Sequence, residues 1–216
     1  MDNKIVVFDL DDTLVDSHRR FEDAILTLLD AHGIAYDARQ VIANTNPLGA
    51  SGTAVYFSAL GVPGTIEEIY EQLMRAQEEF YASRVSLLPG ALDYLHRLSA
   101  QGARLFVLTA SPHRLSDGCL RSNAVYTLFE QVWCTEDFGH NKGEEALFHK
   151  VTAAIGCAPE QVLYYDDGVT AIRTARAAGW QTCGVLSAYA AESDRMEQAA
   201  HSCIHSFEEI LSAQPR

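Results

Sequence analysis

Lysine is nearly missing from this chain: Lys4, Lys142 and Lys150 are the only three in 216 residues, and none falls between 17 and 88. With 16 basic against 29 acidic side chains, the formal net charge is −13. Such a body repels the phosphates of a nucleic acid, and no basic cluster offsets that, so no nucleic-acid partner is expected. An anionic ligand would need positive charge supplied locally, by a metal or a few placed cations. Long apolar runs are also absent. Ile5–Phe8 meets acids at once and is too short for a signal segment or a membrane span, so no membrane association is expected and the cytoplasm is the default compartment. The cysteines (119, 134, 157, 183 and 203) form no C-x-x-C pair. Their odd number and wide spacing suit reduced, mostly buried thiols rather than a disulfide framework or a zinc site. The eight histidines show no ligand spacing, and prolines number only six.

What is present is an ordinary folded composition, 48% apolar and 21% charged, long enough for one core or a core with a small accessory module. Short β-branched or aromatic runs alternate with helical stretches. The strand candidates are Lys4–Phe8, Arg104–Leu108, Val132–Cys134, Val162–Tyr165 and Gln181–Val185, with Cys203–Ile204 a weaker sixth. Between them, Ala91–Gln101, His113–Val125, Glu144–Ile155 and Val169–Ala178 carry apolar residues near helical spacing. Gly102, Gly156 and Gly179 stand where helices should stop, each ahead of a strand. This alternation implies an α/β fold, a doubly wound parallel sheet covered on both faces. From about His18 to Leu88 the rhythm breaks and only helices are credible. Phe21–Ala31 places Phe21, Ile25, Leu28 and Leu29 on one side, capped by Asp16-Ser17, and Ile66–Ser83 is a second long amphipathic helix. Between them Asn44–Gly52 reads as a loop of turn formers and hydrogen-bonding side chains. The stretch is an insertion after the first strand.

In an open α/β sheet, ligands bind outside the carboxyl ends of the strands. The first strand leads into Asp9-Leu10-Asp11-Asp12-Thr13-Leu14, the second into Thr109-Ala110-Ser111 and the fourth into Asp166-Asp167-Gly168; beyond the third lies Lys142-Gly143 at a helix start. Four carboxylates brought to one rim repel unless a hard cation binds them, and oxygen ligands suit Mg²⁺. Asp9 and Asp11, two apart on an extended segment, point the same way and can divide labour between nucleophile and acid/base. Mg²⁺, Lys142 and backbone N–H groups after Thr109 would hold a phosphoryl group's charge. One aspartate after a strand is more often a solvated turn or a cap; it is the ordered set of four strand ends that points to chemistry.

Those residues, Asp9-x-Asp11-x-Thr13, Thr109, Lys142 and Asp166-Asp167, resemble the four motifs of the haloacid dehalogenase superfamily, over the chain from residue 4 to about 186. The resemblance implies a Rossmann-like catalytic core, residues 1–16 and 89–216, and a helical cap, residues 17–88. It implies Asp9 as a nucleophile forming an aspartyl-phosphate, and Asp11 as the acid that protonates the leaving group and then activates water. Mg²⁺ would be held by Asp9, the backbone carbonyl of Asp11 and Asp167, with Asp166 direct or through water. Thr109 and Lys142 would hold phosphoryl oxygens, with Ala110 and Ser111 beside them at the substrate. Three positions depart from the family pattern: Ala171 where Asp or Asn is common, Gly168 where Ser is frequent, and Gly143-Glu144-Glu145 after Lys142 in place of an early proline.

The expected activity is hydrolysis of a small phosphorylated metabolite: a sugar phosphate, phosphoglycolate or a nucleoside monophosphate. Carbon–halogen cleavage in the superfamily lacks the second acid, and phosphonate cleavage needs a cap lysine that this chain does not have. The sugar-phosphate mutases carry a histidine twelve residues after the nucleophile, where Phe21 stands here. A mutase, or a non-catalytic metabolite-binding protein on the same fold, are the alternatives, and a monomer or homodimer is expected. Since the strand-end groups recognise only a phosphoryl group and metal, substrate choice is expected from the insertion, with Asn46 of the Asn44–Gly52 loop among the binding residues.

Overall fold

The computed structural model describes residues 4–45, 48–186 and 193–213. It divides into two compact units, Ser17–Val85 and the remainder of the chain.

The larger unit begins with β1 (Ile5–Phe8), whose four residues are all buried, as an uninterrupted apolar strand covered on both faces requires. The chain then leaves for the helical unit, α1 (His18–Ala31), α2 (Ala38–Thr45), α3 (Gly49–Ala59) and α4 (Ile66–Ser83). On its return it runs α5 (Ala91–Ala100), β2 (Arg104–Thr109), α6 (His113–Ser122), β3 (Gln131–Cys134), α7 (Glu145–Ile155), β4 (Val162–Asp166), α8 (Val169–Ala177), β5 (Gln181–Val185), α9 (Ser193–Ala199), β6 (Ser202–Ile204) and α10 (Phe207–Ser212). Short 3₁₀ turns lie at Tyr126–Leu128, Thr135–Phe138 and Pro159–Gln161. The six strands lie in the order β3-β2-β1-β4-β5-β6, and every neighbouring pair is parallel. This is the doubly wound order, with its reversal point between β1 and β4, the place where such sheets bind ligands.

Alternation along the strands splits the core into two layers. On one face Tyr164 of β4 packs with Phe148 and Trp180 edge to face, at centroid separations of 5.1–5.7 Å. The Trp180 indole N–H donates to Thr152 Oγ1 at 2.8 Å, so this buried ring leaves no donor unpaired. On the other face Tyr165, the next residue, stacks on Phe8 at 5.0 Å and meets the Tyr94 hydroxyl at 2.7 Å.

In the helical unit, Ile25, Leu28 and Leu29 of α1 pack with Val41, Ala54, Phe57, Ile69 and Leu73. The start of α4 is fixed by a reciprocal cap: Thr65 Oγ1 accepts from the Glu68 N–H, and Glu68 Oε2 accepts from the Thr65 N–H at 2.8 Å. At α1 the expected side-chain cap is absent, because Ser17 already has near-helical dihedrals (φ −109°, ψ −10°) and makes no capping bond. Residues 86–88, read from sequence as part of the insertion, belong with the larger unit. The Asp16 N–H donates to the Ser86 carbonyl at 2.9 Å and the Leu88 N–H to the Leu14 carbonyl at 2.8 Å, which ties the returning chain to the departing one.

The Asn44–Gly52 loop is a correction. Asn44 and Thr45 close α2, and Ser51 and Gly52 lie in α3. Thr45 is buried, and its hydroxyl donates to the Val41 carbonyl at 2.9 Å. Asn44 donates to the Tyr56 hydroxyl at 3.1 Å. Hydrogen bonding within the helices has taken up side chains that the sequence offers as loop ligands. Asn46, Pro47 and the side chain of Phe21 lie outside the described residues.

Candidate active site

The site is assembled at the carboxyl ends of β1, β2 and β4. β1 stops at Phe8, and the Asp9 N–H still donates to the Tyr165 carbonyl at 2.8 Å, so Asp9 is held in line with the sheet. The chain then curls. The N–H groups of Leu14 and Val15 both reach back to the Leu10 carbonyl, at 2.9 and 3.1 Å. Asp12 takes a left-handed conformation (φ 53°), which costs a non-glycine residue energy that the surrounding bonds must repay. This turn covers residues 12–14, just beyond Asp11, and the carboxylates of Asp9 and Asp11 take different partners.

Asp9 meets the Lys142 ammonium, which donates to Asp9 Oδ1 and, at 2.8 Å, to Asp166 Oδ2. Asp166 is engaged on both oxygens. Oδ2 also accepts from the Tyr164 hydroxyl, and Oδ1 accepts from the Gly168 N–H at 2.6 Å. A Cβ on residue 168 would stand 2.9 Å from Oδ1, so glycine suits the way Asp166 turns back on the chain. Asp11 instead accepts from Ser111 Oγ at 2.6 Å, and the Ser111 N–H donates to Thr109 Oγ1 at 3.0 Å. Asp9, Asp11, Asp12, Thr109, Ala110, Lys142, Asp166, Asp167 and Ala171 all line one cavity of about 340 Å³. Every residue read as catalytic, metal-binding or substrate-binding is therefore at this cavity, except Asn46, which is not described, and Ser111, which reaches it through Asp11.

The electrostatics are those of crowded acids around one cation. Oxygens of Asp9, Asp166 and Asp167 lie within 4.8 Å of one another. Burial first, and then the charges of Asp166, Asp167 and Asp11, push the Asp9 carboxyl well up, against the pull of Lys142. Asp167 is pushed up to about 7 by burial and by Asp166 and Asp12. Burial would lower Lys142, but Asp166 and Asp9 outweigh it and hold the ammonium protonated. One ammonium does not neutralise three neighbouring carboxylates. The residue charge and the all-oxygen donor set fit a hard divalent cation. The Asp166 oxygens also accept from Lys142, Tyr164 and Gly168, which leaves that carboxylate about one acceptor position for such an ion beside Asp9 and Asp167.

Tyr164 is the residue the sequence reading missed. It lies two before Asp166 on a strand, so both side chains share a face; that period-two relation was the available signal.

Residues 6–185 match the model of the haloacid dehalogenase-like hydrolase family. The chain is 23% identical to the validoxylamine A 7'-phosphate phosphatase of Streptomyces hygroscopicus subsp. limoneus, over 88% of this chain and 89% of that one. Among solved structures, a Thermotoga maritima protein provisionally described as a β-phosphoglucomutase shares the fold with a TM-score of 0.84, at 19% identity and over 96% of both chains. YfnB of Bacillus subtilis, bound to magnesium, shares it with a TM-score of 0.78, at 23% identity and over 97% of both chains.

Proposed function

The chain belongs to the haloacid dehalogenase-like hydrolase family and is a phosphoric monoester hydrolase; from that premise we propose that it hydrolyses small phosphorylated metabolites with Mg²⁺, through an aspartyl-phosphate on Asp9. The substrate belongs to the sugar-phosphate, phosphoglycolate or nucleoside monophosphate class. The observation that carries this reading is the Lys142 ammonium bridging Asp9 and Asp166 in a carboxylate-lined cavity, with Asp11 held apart on Ser111.

Lys142 occupies one oxygen of Asp9, which orients the carboxylate and leaves its other oxygen to attack phosphorus. The ester P–O bond breaks as the new P–O bond to Asp9 forms, and the departing alkoxide takes a proton from Asp11. Asp11 then removes a proton from water as that water attacks the acyl phosphate, releasing inorganic phosphate and restoring both carboxyls. Ser111 keeps Asp11 turned toward the Thr109 loop, so the acid does not collapse onto the Asp9 cluster. Thr109 and Lys142 hold phosphoryl oxygens. Asp9, Asp167 and the Asp11 main-chain carbonyl, with Asp166 direct or through water, would hold Mg²⁺, and the ion would supply positive charge to the phosphoryl group. Support for the metal comes from the unneutralised carboxylates and from the magnesium bound to YfnB. Support for a small phosphate ester comes from the validoxylamine 7'-phosphate phosphatase. Residues 17–85 are proposed to serve as the cap that meets the rest of the substrate.

The test is phosphate release from p-nitrophenyl phosphate and a panel of phosphate esters, with Mg²⁺ and with EDTA. Turnover that needs Mg²⁺ and favours one ester class is the expected result. Full activity in EDTA, or none on any ester, would overturn the reading.

A further inference from the structure

A second set of ligand-type side chains stands at the end of β3. His113 opens α6, Cys134 is the last residue of β3, and Asp137 lies in the 3₁₀ turn that follows. Their ligand atoms lie within 4.8 Å of one another. His113 Nε2 is 3.0 Å from Asp137 Oδ2, while His113 Nδ1 is 3.2 Å from Asp117 Oδ1. Asp117 is held in turn by the Tyr126 hydroxyl, which donates to its Oδ2 at 3.3 Å. Asp137 is fixed by the Cys134 N–H, which donates to Oδ2 at 2.9 Å.

We propose that His113, Cys134 and Asp137 form a binding site for a borderline divalent cation such as Zn²⁺, separate from the Asp9 cluster. Nitrogen, sulfur and oxygen donors together suit Zn²⁺ and do not suit Mg²⁺, which prefers oxygen alone. The imidazole already has the arrangement of a zinc histidine, with one ring nitrogen on a carboxylate that sets its orientation and the other facing the remaining donors. His113 and Asp137 are exposed and Cys134 is buried beneath them, so an ion enters from solvent and meets the thiol last. Burial pushes the Cys134 thiol up to about 11, so binding releases its proton to solvent as the metal–sulfur bond forms. Three protein donors leave a fourth position for water. In sequence this set is invisible, because His113 and Cys134 are 21 positions apart and the pairing of β2 with β3 brings them together.

The experiment uses the reduced full chain with Mg²⁺ in excess, so that the oxygen cluster is occupied. Zn²⁺ is titrated against a chromophoric chelator, and Co²⁺ is followed by absorption. One Zn²⁺ per chain is expected, with a thiolate-to-Co²⁺ charge-transfer band in the near ultraviolet. Cys134→Ser should abolish the band. Asp117→Asn, which touches no proposed ligand atom but His113, should weaken Zn²⁺ about tenfold. Asp167→Asn should leave both signals in place. Absence of Zn²⁺ binding by the wild-type chain, survival of the band in Cys134→Ser, or its loss in Asp167→Asn would each overturn the site. If Cys134→Ser fails to fold, the wild-type band and the Asp117→Asn affinity decide the matter.

Discussion

Lys142 shows how much one side chain carries when its charge is scarce. It is the counter-charge to Asp9 and Asp166, both buried, and removing one partner of such a set leaves the others uncompensated. Lys142→Met should cost about 3–5 kcal/mol of stability in metal-free protein and lower kcat by roughly 10² or more. Tyr164→Phe removes one of three donors to Asp166, so it should cost about 1 kcal/mol and less than tenfold in kcat. Urea melts and initial rates check both, and equal effects from the two variants would contradict the assigned hierarchy. Asp9 and Asp11 differ in kind. Asp9→Asn should fold normally and incorporate no phosphate into the protein, because an amide cannot form the acyl phosphate. Asp11→Asn should still accept phosphate but turn over roughly 10²–10⁴-fold more slowly. Quenched-flow trapping of the phosphoenzyme distinguishes them, and a labelled Asp9→Asn protein would refute the nucleophile.

At the scale of the element, α2 and α3 show why polar turn formers mislead. Asn, Thr, Gly and Ser at 44–52 are ordinary loop residues, yet α2 runs to Thr45 and α3 begins at Gly49. Packing of Val41, Ala54 and Phe57 in the unit's core outweighs the weak local preference. Thr45 spends its hydroxyl on the Val41 carbonyl inside that core. Thr45→Val, close in volume, should therefore leave the ranking of kcat/KM across a phosphate-ester panel unchanged. A reordered ranking would return Thr45 to the substrate.

For the whole molecule, the carboxylate cluster sets a pH dependence that a metal should erase. Asp167 is raised from 3.8 to about 7, and Asp9 is raised as well. The folded state thus binds more protons than the unfolded chain between those values, and stability falls as pH rises through the window. In EDTA, Tm should drop between about pH 4 and pH 7. Saturating Mg²⁺ at 100 times its Kd should add about 2.7 kcal/mol and flatten the slope, most visibly at the alkaline end, where the carboxylates are ionised. Thermal melts at three pH values, with and without Mg²⁺, give the answer; parallel curves would remove the cluster as the metal's binding place.

The order of strands and helices in the larger unit, and the residues at each strand end, could be read from sequence because both rest on local rules. A strand buried on both faces must be apolar throughout, a helix must repeat near every 3.6 residues, and ligands gather where parallel strands end. Ile5–Phe8 followed by Asp9, and Val162–Tyr165 followed by Asp166, satisfy those rules without any knowledge of their neighbours. Tertiary structure alone decided the pairings. Lys142 and Asp9 are 133 positions apart and Ser111 and Asp11 are 100 apart, so no periodicity links them. Tyr164 became part of the site because the residue two places on carries the carboxylate, and His113 met Cys134 because β2 lies beside β3. Charge compensation and hydrogen bonding at van der Waals range depend on which surfaces the sheet order brings together, and that order is a property of the folded chain.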